Sequence, residues 1–188
     1  MIRSYKYRIY PNAEQANALT DMLGVFCDLF NAALQQRIEA YRRQGVTLNL
    51  ARQSNELKAA RAAVPELSLY SFTAEQQVLR RIDKAFSAFF RRVKRGEKAG
   101  FPRFRSKHRY DSADFRVSDG IVCRKGKLRL VGIAGLIKVR WHRELPARPT
   151  QAILSRSNGK WYITLQFKVA DLIIPGEKAD RPNVGIDV

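Results

Sequence analysis

Acidic residues are scarce in this chain. Its 188 residues hold 17 Asp plus Glu against 35 Lys plus Arg, a net charge of +18. An imbalance of that size exceeds what solubility requires and points to a polyanionic partner, of which nucleic acid is the commonest. Cysteine is nearly missing. Cys27 and Cys123 stand far apart and outside any C-x-x-C pair, so no zinc knuckle can be assembled and no zinc element is expected. Both thiols are expected in the core rather than in a disulfide. The two histidines, His108 and His142, have no partner at metal-ligand or triad spacing, which leaves no case for a catalytic imidazole. No run approaches the roughly 18 apolar residues of a membrane span. Residues Met1 to Arg8 lack the apolar core of a signal peptide. Neither a lipidation signal nor a helix with a wide apolar face is present to place the chain on a membrane surface. The expectation is a cytoplasmic protein with no membrane and no small-molecule substrate as partner.

Hydrophobic residues make up 45% of the chain, enough for one or two modest domains with real cores. Residues 2–10 alternate, with Tyr5, Tyr7 and Ile9 on one face and Lys6, Arg8 and Tyr10 on a wet, basic one. Pro11-Asn12 ends that strand. Asn12 with Gln15 three residues later suits a helix N-cap. Leu19, Met22, Leu23, Phe26, Phe30, Ala33, Leu34, Ile38 and Tyr41 then follow a 3.6-residue period, predicting a long helix to near Gly45. A weaker helix covers about 49–62 and stops before Pro65. A third runs from Thr73, capped with Gln76, to Lys94, its stripe including Val78, Leu79, Ile82, Phe86, Phe89, Phe90 and Val93. Complementary apolar faces make these three a small bundle, with Phe26, Phe30, Phe86, Phe89 and Phe90 in its core.

From Gly96 the pattern changes to short alternating runs at 113–118, 121–123, 127–131, 136–142, 151–157 and 160–169. Asn158-Gly159 between the last two is a two-residue hairpin signal. Many short strands with such turns predict a small β-barrel, with Trp141 and Trp161 in its core. The N-terminal strand is expected to join it, which makes the helices an insertion. Residues 170–183 read as a polar linker.

The charge is concentrated. Arg91, Arg92, Lys94, Arg95, Lys98, Arg103, Arg105, Lys107 and Arg109 follow one another with Glu97 the sole acid between them. Phe101, Phe104 and Tyr110 are interleaved. Cations neutralise phosphates and release counterions, while aromatic and guanidinium planes stack on unpaired bases. Gly96, Gly100 and Pro102 are expected to keep this stretch extended along a backbone groove. A second acid-free run holds Arg124, Lys125, Lys127, Arg129, Lys138, Arg140 and Arg143, expected to stand out from one sheet face, with Lys138 and Arg140 opposite Ile137 and Val139. Loop and barrel would then supply two walls of a basic surface. Tyr10, Asn12 and Gln15 are expected where barrel and helices meet. At the end of the chain, Val184-Gly185-Ile186-Asp187-Val188 has the character of a β-branched strand with one carboxylate, as at the start of an RNase H-type nuclease. Such a site needs several carboxylates around two divalent cations.

These residues, in order, resemble the TnpB/OrfB family of insertion-sequence proteins. The resemblance runs through Arg8-Ile9-Tyr10-Pro11-Asn12 with Gln15, Asn31, Leu34, Arg37 and Tyr41. It continues with Ala85-Phe86 and Phe89-Phe90, Gly100-Phe101-Pro102-Arg103-Phe104-Arg105-Ser106-Lys107, Asn158-Gly159-Lys160-Trp161-Tyr162 and Val184-Gly185-Ile186-Asp187. It implies an α+β chain. Residues 1–10 plus 96–181 would form a β-barrel wedge domain. Residues 11–95 would form an inserted three-helix recognition domain, sometimes named a helix-turn-helix domain. Residues 183–188 would begin a RuvC-like nuclease. It further implies guide RNA and duplex DNA as partners and Mg²⁺ as the cofactor of the full-length proteins, with Asp187 as the first catalytic, metal-binding carboxylate. The other carboxylates and the four-cysteine zinc element of that family have no counterpart here. A lone Asp cannot hold two Mg²⁺, so the chain is expected to bind nucleic acid without cutting it or holding the metal. A DNA-binding repressor derived from such a protein would use the same surfaces. A ribosome-associated basic protein would explain the charge and the barrel, but not the ordered motifs.

Overall fold

The structure is a computed structural model that describes residues 2–117, 119–124 and 126–168. The expected linker at 170–183 and the segment 183–188 with Asp187 lie outside the described residues. The elements are β1 (Ile2–Tyr10), α1 (Ala13–Gln44), α2 (Leu50–Ala63), α3 (Pro65–Ser68), α4 (Phe72–Lys94), a 3₁₀ turn (Lys107–Arg109), β2 (Ser112–Val117), β3 (Gly120–Arg124), β4 (Lys127–Leu130), β5 (Ile137–Arg140), β6 (Gln151–Ser157) and β7 (Lys160–Lys168).

The strands close into a barrel in the order β1-β5-β4-β3-β2-β6-β7. Alternation puts Tyr7, Ile9, Phe115, Leu128, Ile137, Ile163 and Phe167 inside. β1 joins the barrel, as expected, antiparallel between β5 and β7, while β2 and β3 pair in parallel over a short stretch. Asn158 and Gly159 both adopt positive φ (49° and 68°), the primed turn that matches strand twist between β6 and β7.

The helices sit between β1 and β2 in sequence. Asn12 and Gln15 form the expected reciprocal capping box on α1, which runs 32 residues to a left-handed Gly45. Two helical expectations are corrected. Ser71, not Thr73, caps α4, its hydroxyl accepting from the Ala74 N–H. Pro65 does more than stop α2: its fixed φ starts the short helix α3.

The helices and the barrel share one continuous core, in which Leu19, Phe26, Val78 and Ile82 belong to the same cluster as Tyr110, Phe115 and Leu130. Two glycines let the α3–α4 turn press against the sheet. A Cβ on Gly132 (φ +84°) would lie 2.7 Å from the Leu69 carbonyl oxygen, and one on Gly120 (φ +91°) 2.6 Å from Ser71. Arg81 of α4 reaches the Asp114 carboxylate at 2.8 Å and the Ser112 carbonyl at 2.7 Å on β2. At the start of α1, Gln15 donates to the Ala134 carbonyl between β4 and β5 at 2.9 Å, so its place at the junction is as expected.

The bundle core is smaller than the aromatic periodicity predicts. Phe26 and Phe30 are buried, but Phe86 and Phe89 are only partly covered, and Phe90, Val93 and Tyr41 are exposed. α2 meets the earlier turns of α4, where Arg61 reaches Glu75 and Gln53 and Asp83 share Arg37. Two arginines link the helices. Arg37 bonds Gln53 (2.7 Å) and Asp83 (3.2 Å), and Arg61 bonds Glu75 (2.6 Å), whose side chain is fully buried.

Candidate nucleic-acid interface

The strand register builds a cationic face on the outer wall of β7, β1, β5 and β4. One row across the wall is Tyr162, Arg8, Arg140; the next is Tyr10, Lys138, Lys127. Lys6 lies over the Tyr162 ring at 4.3 Å and Arg8 over the Tyr10 ring at 4.9 Å. Thus Arg8 stands opposite Arg140, and Lys127 opposite Lys138. Directly opposed side chains sit about 5 Å apart at Cβ, and like charges there repel and destabilise the sheet. Among the described strand residues the one acid is Asp114, on β2 and already bonded to Arg81. The repulsion is therefore not relieved within the described residues. A phosphate backbone would relieve it, and the rings offer flat faces beside the charges.

The buried Arg8 Nε has no hydrogen-bond partner among the described residues.

The expected loop wall has a different geometry. Residues 105–107 are strapped across α1. Asn31 accepts from the Arg105 N–H (2.9 Å) and donates to its carbonyl (2.8 Å), and the Cys27 thiol donates to the same carbonyl at 3.2 Å. Burial pushes the Cys27 thiol above its ordinary range, which fits a core role. Burial likewise raises Cys123, to about 11. Lys107 is bonded to Asp28 at 2.7 Å, and Asp28 also raises the lysine's pKa. Arg105 lies over the Phe30 ring at 5.1 Å. The expectation of a fully extended stretch is corrected at the 3₁₀ turn 107–109.

Arg91, Arg92, Lys94, Lys98, Arg103 and Arg109 are exposed, whereas Arg95 meets Glu97 at 3.8 Å. Lys138 and Arg140 point outward, as expected. The two sets stand on different elements. α4 and the loop lead into β2, and in the seven-strand ring β1 and β5 are the strands farthest from β2. Sequence reasoning saw Lys6, Arg8 and Tyr10 as a wet strand face but did not assign them to the site; it counted Lys127 in the barrel's basic run without singling it out, and it did not assign Tyr162. Alternation was the available signal; only the register shows that these residues adjoin Lys138 and Arg140.

Among the described residues no group of three His, Cys, Asp or Glu is placed to hold a metal ion, and no helix is long and apolar enough to cross a membrane.

Comparison with known proteins places this geometry. Residues 1–45, here β1 and α1, match the OrfB/IS605 family described as a helix-turn-helix domain. A "Putative RNA-guided DNA endonuclease" of Streptomyces pristinaespiralis is 32% identical over 98% of this chain and 45% of its own length. The similarly described InsQ of Escherichia coli K12 is 24% identical over 88% of this chain and 40% of its own. Virulence protein VsdF of Salmonella dublin is 32% identical over 57% of this chain and 96% of its own length. The Cas12f1–sgRNA–target DNA complex matches 91% of this chain and 49% of its own with a TM-score of 0.48 at 12% identity. The chain spans about half the length of the two endonuclease relatives.

Proposed function

This chain belongs to the TnpB/OrfB family, and from that premise we propose that it is the nucleic-acid-gripping part of a transposon-encoded RNA-guided DNA endonuclease. Guide RNA lies on the outer wall of the barrel, and duplex DNA is held with help from the exposed cations of α4 and the loop that follows. The observation that carries this reading is the wall of Lys6, Arg8, Lys127, Lys138 and Arg140, which sets Arg8 opposite Arg140 and Lys127 opposite Lys138 with no acid on these strands among the described residues.

Strand cleavage is a separate matter. The described residues do not fit a Mg²⁺ pair, because such ions need converging carboxylates and no such group exists among them. Asp187, the expected metal-binding carboxylate, lies outside the described residues. We therefore assign binding to this chain and no cutting step to its described residues.

The test is a gel-shift titration with a structured RNA and with duplex DNA at several salt concentrations. Affinity should fall steeply with salt, log K dropping by about 0.7–0.9 per decade for each phosphate neutralised. A salt-independent affinity for both would overturn the reading.

A further inference from the structure

We propose that the aromatic cleft between α1 and α4 is a stacking site for an unpaired RNA nucleotide, a site distinct from the barrel wall. The cleft holds about 630 Å³, within the range of small-ligand sites, and is lined by Tyr41, Phe86, Phe89, Phe90 and Phe101 with Arg42 at its rim. Phe101, from the loop after α4, packs edge-on against Phe86 (5.6 Å, 88°) and Phe89 (5.3 Å, 78°). Phe90 stands 5.2 Å from Phe89. These contacts fix the rings from behind and leave Phe90 56% and Phe101 48% exposed. Beneath them the Arg37 guanidinium, held by Gln53 and Asp83, lies 5.3 Å from the Phe86 ring. Aromatic faces left open in this way are unfavourable in water and are well used by a flat π-system.

Charge identifies the occupant. Among the described residues no carboxylate lines the cleft, and Arg42 is exposed at its edge. Lys94 lies one helical turn beyond Phe90, on the same face of α4. An apolar floor with a cationic rim suits a base with its phosphate. A second copy of a chain carrying +18 would bring two such rims together, which opposes self-association. The inference rests on the reading of the chain as a binder of guide RNA and duplex DNA. Of those two, folded RNA is the one that presents unpaired bases in loops, whereas duplex DNA keeps its bases stacked.

The experiment uses a hairpin RNA with 2-aminopurine in its loop, and a blunt duplex RNA as the comparison. With the unaltered chain, loop fluorescence should fall on binding. Phe90→Ala should weaken hairpin affinity about tenfold and abolish the quench, Phe90→Trp should restore both, and duplex RNA affinity should not change. If Phe90→Ala and Phe101→Ala both bind and quench the hairpin as the unaltered chain does, the inference is overturned while the barrel-wall reading stands. If the unaltered chain binds neither RNA, the wider reading falls and this one with it. A dimer in sedimentation that Phe90→Ala dissolves would overturn it in favour of a second copy. An equal loss on a DNA hairpin of the same sequence would overturn the choice of RNA.

Discussion

At the scale of single residues, the most consequential side chains were not the most visible ones. Glu75 is fully buried, with one oxygen on Arg61 at 2.6 Å and the other without a partner among the described residues. Burial pushes its carboxyl above the ordinary range, and Arg61 opposes that shift. Arg61 also donates to the Leu67 and Tyr70 carbonyls, pinning the turn between α3 and α4. Arg61→Ala leaves the carboxylate buried without its partner and should cost about 3–5 kcal/mol in urea unfolding. The sign of the pH effect follows from the raised value. The protonated form is favoured in the fold, so this contribution is fully present below the ordinary Glu pKa and is lost as pH rises through the raised one. Arg61→Ala removes the opposing cation. The variant should therefore recover part of its deficit as pH falls from neutral, and a deficit constant with pH would contradict this assignment. Asn31 is a second such residue. Its amide bonds both the N–H and the carbonyl of Arg105, the latter shared with the Cys27 thiol. Asn31→Ala should cost about 1–2 kcal/mol and open Cys27 to a thiol reagent that the native chain resists.

At the scale of elements, the docking of helices on barrel depends on two glycines. Gly132 accepts the α3–α4 turn at a distance no Cβ tolerates, and its positive φ adds backbone strain to any substitution. Gly132→Ala should destabilise by about 1–3 kcal/mol in urea unfolding. Ala at Gly159, whose Cβ would meet nothing within 4 Å, should lose only the turn preference. Equal losses at the two positions would show that contact with the turn is not what Gly132 provides. Among the elements themselves, α1 and the β6–β7 hairpin were legible because each carries its own stop and start signals: a capping box, a left-handed glycine and an Asn-Gly turn. α3 was not, because four residues are too few to show a period.

At the scale of the whole molecule, the continuous core makes helices and barrel one cooperative unit, and a single thermal transition is expected by both near- and far-UV circular dichroism. Two separated transitions would show that the shared core does not couple them. Binding is also a property of the whole wall. The triple change Arg8→Ala, Lys138→Ala and Arg140→Ala removes three cations from adjoining strands. It should flatten the dependence of log K on log salt for structured RNA by about 0.7 for each phosphate that is no longer neutralised. The matched triple Arg103→Ala, Lys107→Ala and Arg109→Ala should flatten it less, because Asp28 competes with phosphate for Lys107. If the loop triple has the larger effect, the loop rather than the barrel wall is the main grip.

By itself the sequence determined what is local: which segments alternate and which repeat every 3.6 residues, where caps and turns fall, and that the chain is cationic enough to need a polyanion. It also placed Lys138 and Arg140 outward, because alternation alone decides the face. Tertiary structure alone decided the neighbours. Register put Arg8 beside Arg140 and Lys127 beside Lys138, turning separate strand charges into one wall. The fold set Lys107 beside Asp28 in an exposed ion pair, and left Phe90 open although its spacing reads as core. Periodicity reports which side of an element is apolar; whether another element arrives to cover that side, or an opposite charge to meet it, depends on which residues far apart in the chain are brought together.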